Sequence, residues 1–105
     1  MKIRVLYIPY VRYEETSPVI GHITAASFRE AFLKMLTKVR MYTDDDDILA
    51  EEEELGRELT QDELLNIIDS QNGDGCDCII SIINEETEEV YFEDGPEYGF
   101  EEWYI

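Results

Sequence analysis

The run Asp44-Asp45-Asp46-Asp47-Ile48-Leu49-Ala50-Glu51-Glu52-Glu53-Glu54-Leu55-Gly56-Arg57-Glu58 can be a helix or a loop, and the helix count of the whole domain turns on which. Nine of its fifteen residues are acidic. Asp44 to Asp47 offer an N-cap and a negatively charged first turn, which the positive end of a helix favours. Ile48, Leu49 and Leu55 would dock such a helix, and Gly56 would stop it. Against this, Glu51 to Glu54 repel one another along a helical face. The tendencies balance, so residues 44–58 are expected to be an acidic segment between two better-defined helices. A block of like charge destabilises a compact state, and a small domain has little stability to spare. Charge retained at that cost marks a surface for a basic partner.

The flanking sequence is easier to read. On the C-terminal side, Thr60-Gln61-Asp62-Glu63 has the form of a capping box, with Leu59 and Leu64 placed as a hydrophobic staple. Leu64, Leu65, Ile67 and Ile68 form the buried side, and Asn72-Gly73 ends the helix. On the N-terminal side, Ser27-Phe28-Arg29-Glu30 is a second capping box. Phe28, Ala31, Phe32, Met35, Leu36 and Val39 follow at helical spacing, so a helix is predicted over residues 27–39 with Phe28, Phe32, Met35 and Leu36 buried.

Strands lie outside this pair. Ile3 to Tyr13 is rich in β-branched and aromatic residues, with Pro9 at a bulge or an edge. Glu14 to Pro18 is a turn, and Val19 to Ile23 returns as a hairpin partner. Cys76 to Ile83 is an apolar run that suits a central strand covered on both faces. Residues 85–88 turn the chain, Glu89 to Phe92 form the next strand, and Asp94-Gly95-Pro96 turns it again. The expected fold is a single α+β domain over residues 1–105, two helices packed on a mostly antiparallel sheet. Its order is β-β-α-(acidic segment)-α-β-β.

Composition narrows the functional classes. The chain has 105 residues, 26 acidic against 8 basic, and a net charge of −18. Residues 1–40 carry +4 and residues 41–105 carry −22. That balance argues against direct binding to nucleic acid or an anionic membrane, because phosphates would be repelled. Cys76 and Cys78 alternate onto one face of a strand, and the small ring between them disfavours a disulfide. They read as packed, reduced thiols of a cytoplasmic protein. No second ligand pair accompanies them, so no zinc site is expected. His22 is expected to be a hydrogen-bonded structural residue. The Asp69-Ser70-Gln71-Asn72-Gly73-Asp74-Gly75 stretch fails the calcium-loop pattern, having Asp74 at position six and Ile80 at position twelve. No phosphate loop or nucleophile motif is present, and the chain reads as a non-enzyme without metal or cofactor.

Carboxylates three or four residues apart on a helix lie about 5–6 Å from each other, and B-DNA carries one charge per roughly 1.7 Å of axis. Rows of such carboxylates approximate a phosphate array. The candidate partner-binding residues are Asp44, Asp45, Asp46, Asp47, Glu51, Glu52, Glu53, Glu54 and Glu58. To these are added Glu85, Glu86, Glu88, Glu89, Glu93, Asp94, Glu101 and Glu102, with Trp103 as an aromatic anchor. Tyr7-Ile8, Tyr13-Glu14 and Val19-x-Gly21 before a helix, with Glu97-Tyr98 and Glu101-Glu102-Trp103-Tyr104 in the tail, resemble ArdA-type antirestriction proteins. Size and charge are similar to those of many anti-CRISPR proteins. These resemblances imply a phage or mobile-element inhibitor that mimics nucleic acid. It would occupy the site of a basic host defence nuclease in the cytoplasm of a bacterial cell. Gly75-Cys76-Asp77-x-Ile79 is similar to the end of barstar-like immunity proteins, which implies the alternative of an antitoxin bound to a cognate toxin. A third reading is an acidic interaction domain with no inhibitory role.

Overall fold

The computed structural model describes residues 1–11, 16–73, 75–93, 95, 99 and 101–105. The elements are β1 (Lys2–Ile8), β2 (Val19–Thr24), α1 (Phe28–Met35), α2 (Asp45–Leu55), α3 (Gln61–Gln71), β3 (Cys78–Asn84), β4 (Val90–Glu93) and β5 (Glu101–Tyr104). The α+β class is as expected, with two corrections. The acidic segment folds as a third helix, and a fifth strand adds to the sheet. The order across the sheet is β4-β3-β1-β2-β5. β1 pairs antiparallel with both β2 and β3, and β3 with β4, whereas β5 lies parallel to β2. β1 ends at Ile8, a correction to the expected strand to Tyr13: Pro9, Tyr10 and Val11 lie outside any strand, Pro9 having no N–H to give a ladder, and residues 12 and 13 are not described. The expected turn at 14–18 falls partly, and that at 94–96 mostly, outside the described residues.

All three helices contribute to one core against one face of the sheet. Phe28, Ala31, Phe32 and Met35 of α1, Ile48 of α2, and Leu64 and Ile68 of α3 meet Ile3, Val5, Val19, Ile23, Ile79 and Ile82. Each large side chain taken fully out of water contributes roughly 1.5–3 kcal/mol. α1 is shorter than expected. It ends at Met35 with Leu36 as a half-buried cap, and Val39 is buried in the turn that follows. Polar side chains fix the connections. The buried Asp77 carboxylate accepts the backbone N–H groups of Tyr10 and Arg40, both at 2.8 Å. Asn72 caps α3, and its amide exchanges two hydrogen bonds with the Ile79 backbone. Cys76 precedes the strand rather than lying in it, a correction to the shared-face expectation, and its buried thiol faces the Gln71 carbonyl at 2.9 Å. Neither cysteine is in a disulfide.

β4 and β5 occupy opposite edges, about 19 Å apart at four strand spacings. The chain must cross the sheet between Glu93 and Glu101, eight Cα steps that reach at most about 29 Å. Gly95 lies against Ile80 of β3, and Gly99 lies against Ile20 of β2. Ile20 pairs with Leu6, out of phase with the core residues Val19, Gly21 and Ile23. Gly95 and Gly99 therefore lie on the face away from the helices, where Leu6, Ile80 and Ser81 are buried.

β5 is seated by its tryptophan. The Trp103 ring lies directly over Gly21, in space that any Cβ there would occupy. Its indole N–H donates to the Tyr7 hydroxyl at 2.8 Å. Replacing Gly21 with valine should unseat the ring and cost about 1–3 kcal/mol through overpacking. A denaturant melt should show the loss, and emission from Trp103, the chain's single tryptophan, should shift to the red. Unchanged emission with an unchanged midpoint would show that β5 is held some other way.

Candidate partner-binding surface

Asp44 and Asp47 form a reciprocal capping box. The Asp44 carboxylate accepts the Asp47 N–H at 2.8 Å, and the Asp47 carboxylate accepts the Asp44 N–H at 3.1 Å. Asp45, Asp46 and Asp47 occupy the first turn, where the helix dipole favours them. Gly56 ends the helix with φ +73° and donates its N–H to the Glu52 carbonyl, a left-handed cap that glycine adopts without steric cost. Ile48 and Glu52, one turn apart, are the buried residues of α2. Leu49 and Leu55 do not dock, contrary to expectation, and are 47% and 48% exposed.

Glu52 differs from the acids around it. Only 7% of it is accessible. Its carboxylate receives Arg29 Nε at 2.8 Å and Arg29 Nη2 at 2.6 Å, and the Leu59 N–H at 2.8 Å. The guanidinium bond holds Glu52 below the usual carboxylate range despite burial, and the same bond raises Arg29. Glu52 is thus an anchor between α1, α2 and the chain entering α3, and is withdrawn from the candidate surface. Glu58 is exposed and reaches Arg29 at 3.9 Å. Arg57 turns to Glu63, whose carboxyl is pulled down to about 2 by that bond first and by the Thr60 N–H next. Asp45, Asp46, Glu51, Glu53 and Glu54 form no ion pair among the described residues. Glu53 and Glu54 stand in the last turn, which holds no basic residue and where negative charge opposes the dipole.

The other candidate acids fall at both ends of the sheet, and one group gathers around the β3–β4 hairpin. Glu85, Glu86, Glu88 and Glu89 lie at the β3–β4 hairpin, with Asn84 accepting the N–H groups of Glu86 and Thr87. Glu88 adopts φ +62° at the tip. Glu93 ends β4, Glu101 and Glu102 begin β5, and Asp94 is outside the described residues. His22 joins this group, as Nδ1 meets Glu85 at 2.7 Å and Nε2 meets Glu102 at 2.9 Å. The Tyr104 ring stacks on His22 at 4.4 Å and 9°, and its hydroxyl donates to Glu102 at 2.9 Å. That hydroxyl bond, then His22, holds the Glu102 carboxyl below its ordinary range, and Glu102 raises Tyr104. Glu86 meets the Met1 amino group at 3.3 Å. Trp103 is half-buried on Gly21 and packs against the core rather than standing out as an anchor.

The structure therefore divides the described candidates among α2, the sheet end with Glu85, Glu86, Glu88, Glu89 and Glu102, and the opposite sheet end with Glu93 and Glu101, and it buries Glu52 and half-buries Trp103. The sequence did not reveal the roles of Arg29 and Tyr104 or the two carboxylate partners of His22. The four-residue step from Ile48 to Glu52 was the available signal, since an acid on a buried helical face needs a cation. Among the described residues no three His, Cys, Asp or Glu side chains are grouped to hold a metal ion. No helix among them is long and apolar enough to cross a membrane. Comparison with family models, curated proteins and solved structures finds no match to this chain.

Glu52→Gln should lower stability by about 1–3 kcal/mol at neutral pH, the range for a hydrogen-bonded charge left without its partner. The sign of its pH dependence follows from linkage. Glu52 binds its proton more readily unfolded, near 4.5, than folded. Its stabilisation is full above that value and is lost as pH falls through the lower folded value. Melts of wild type and Glu52→Gln across the acid range should converge as pH drops. A gap that stays constant would show that charge at Glu52 contributes nothing.

Proposed function

We propose that this protein is an acidic inhibitor that occupies the nucleic-acid-binding groove of a basic partner, a host defence nuclease in the cytoplasm of a bacterial cell. The observation that carries the reading is the α2 row. Asp44, Asp45, Asp46, Asp47, Glu51, Glu53 and Glu54 all remain accessible along one helix. At about 1.5 Å rise per residue that helix is roughly 16 Å long. B-DNA presents roughly nine charges over the same length. Seven carboxylates on α2 come close to that density, and their anchoring through Ile48 and Glu52 keeps them in register. Such a row offers Lys and Arg side chains the same steering and counterion release that a phosphate backbone offers.

The test replaces Asp45, Asp46, Glu51, Glu53 and Glu54 by Asn or Gln, leaving the capping box and Glu52 in place. The partner is captured from a candidate host cell and identified by mass spectrometry. Wild type should associate with it at a rate that falls steeply with ionic strength and should compete with DNA or RNA. The neutralised variant should associate at least ten-fold more slowly at low salt, with a shallower salt slope and little change in dissociation. It should melt close to wild type, because the self-repulsion relieved at Glu51, Glu53 and Glu54 offsets the dipole interaction lost at Asp45 and Asp46. Equal rates and equal salt slopes would remove α2 from the mechanism. A partner gripped without nucleic-acid competition would favour the immunity-protein alternative.

A further inference from the structure

We propose that the outer edge of β5 is a strand-addition site for an extended, basic segment of a partner protein. Among the described residues β5 is an edge strand, paired only with β2. Ile105 donates its N–H to the His22 carbonyl and accepts the Thr24 N–H, both at 2.9 Å. In a parallel ladder the residues that bond a neighbour alternate. Trp103 and Ile105 therefore turn their backbone groups toward β2, and Glu102 and Tyr104 turn theirs away from the sheet. Two N–H and two C=O groups stand there with no neighbouring strand among the described residues.

The side chains around that edge are already ordered. Trp103 seats the strand from the core side through Gly21 and Tyr7. On the opposite face His22 grips Glu102 while Tyr104 stacks on His22. An incoming strand would meet a fixed template, which lowers the ordering cost of association. Main-chain bonds would supply affinity, and alternate side chains would supply selection.

Charge identifies the occupant. Glu101 and Glu102 are exposed on alternate faces of β5, so both faces of an added strand meet a carboxylate. Lysine or arginine opposite them is favoured, and like charge is not. Tyr104, 72% exposed, adds an apolar contact for an aliphatic or aromatic residue. A second copy of this chain is disfavoured, since each copy carries −18. The site is distinct from the α2 row, so the α2-neutralised variant should keep it, and failure of one leaves the other standing.

The probe is a synthetic peptide of alternating lysine and valine, with a lysine–glycine peptide of equal charge as control. Amide exchange in wild type should slow at Glu102 and Tyr104 when the lysine–valine peptide binds, and the control should bind at least ten-fold more weakly. Glu102→Pro removes the outward N–H while sparing the inner ladder, as proline is tolerated where an edge N–H faces solvent. It should abolish that binding with Trp103 emission unchanged, whereas Glu102→Gln should weaken it only a few-fold. Should Glu102→Pro itself shift the emission, the exchange pattern in wild type decides alone. Protection confined to α2 or to Val90–Glu93, equal binding of the control, or a concentration-dependent dimer protected along β5 would each overturn the proposal.

Discussion

One carboxylate turned inward is what allows the acidic run to be a docked helix. Glu52 faces Arg29 and the Leu59 N–H, and it sits one turn from Ile48, the other buried residue of α2. Without that anchor, α2 would have a single isoleucine to set against several like charges. A helix of eleven residues is marginal on its own, so tertiary attachment decides whether it exists. Because Glu52 also accepts from the backbone at Leu59, the same bond sets where α3 begins. The acidic surface and the helical layer beneath it thus share one ion pair.

The molecule's charge separation follows from the way its basic residues are used. Lys34 donates to the Thr24 carbonyl, Arg40 to the Tyr10 carbonyl, and Arg29 to Glu52. These cations stabilise the scaffold and leave the outer acids of α2 uncompensated. Each like-charge pair on a helix costs only a few tenths of a kcal/mol. Burial of side chains such as Phe32, Leu64 and Ile82 outweighs several such pairs. A surface of this kind persists because the core carries it.

Local signals were read well and long-range ones poorly. The Thr60–Glu63 box, the Leu59–Leu64 staple and the Phe28–Phe32–Met35 stripe each lie within a few residues, and all are present. The β1–β2 hairpin was legible for the same reason. At Asp44 the cap was recognised, but an aspartate as the third residue does not stand out among four, and the reciprocal box was missed. Only the four-residue step from Ile48 separates Glu52 from Glu51, Glu53 and Glu54. Its role depends on Arg29, 23 positions away. β5 has four residues and pairs in parallel with a strand more than eighty positions earlier, where neither periodicity nor turn chemistry can announce it. His22 was expected to be hydrogen-bonded and structural, and it is bonded, but its carboxylate partners come from two other elements.

The pairing of Val19 with Glu101 has a consequence for synthesis. A ribosome adds roughly 5–20 residues per second, so β2 waits on the order of 4–16 s for its neighbour. Through that interval the Gly21 edge is an open template for another nascent chain. Residues 1–40 carry +4 and give no electrostatic protection of their own. The next segment to emerge is the acidic run from Asp44 to Glu58, which takes the nascent chain from +4 to −4, and the acids that follow carry it to −14 by Glu93, before its sheet can close. Moving that run behind β5 would leave the finished domain with the same composition and a more aggregation-prone translation.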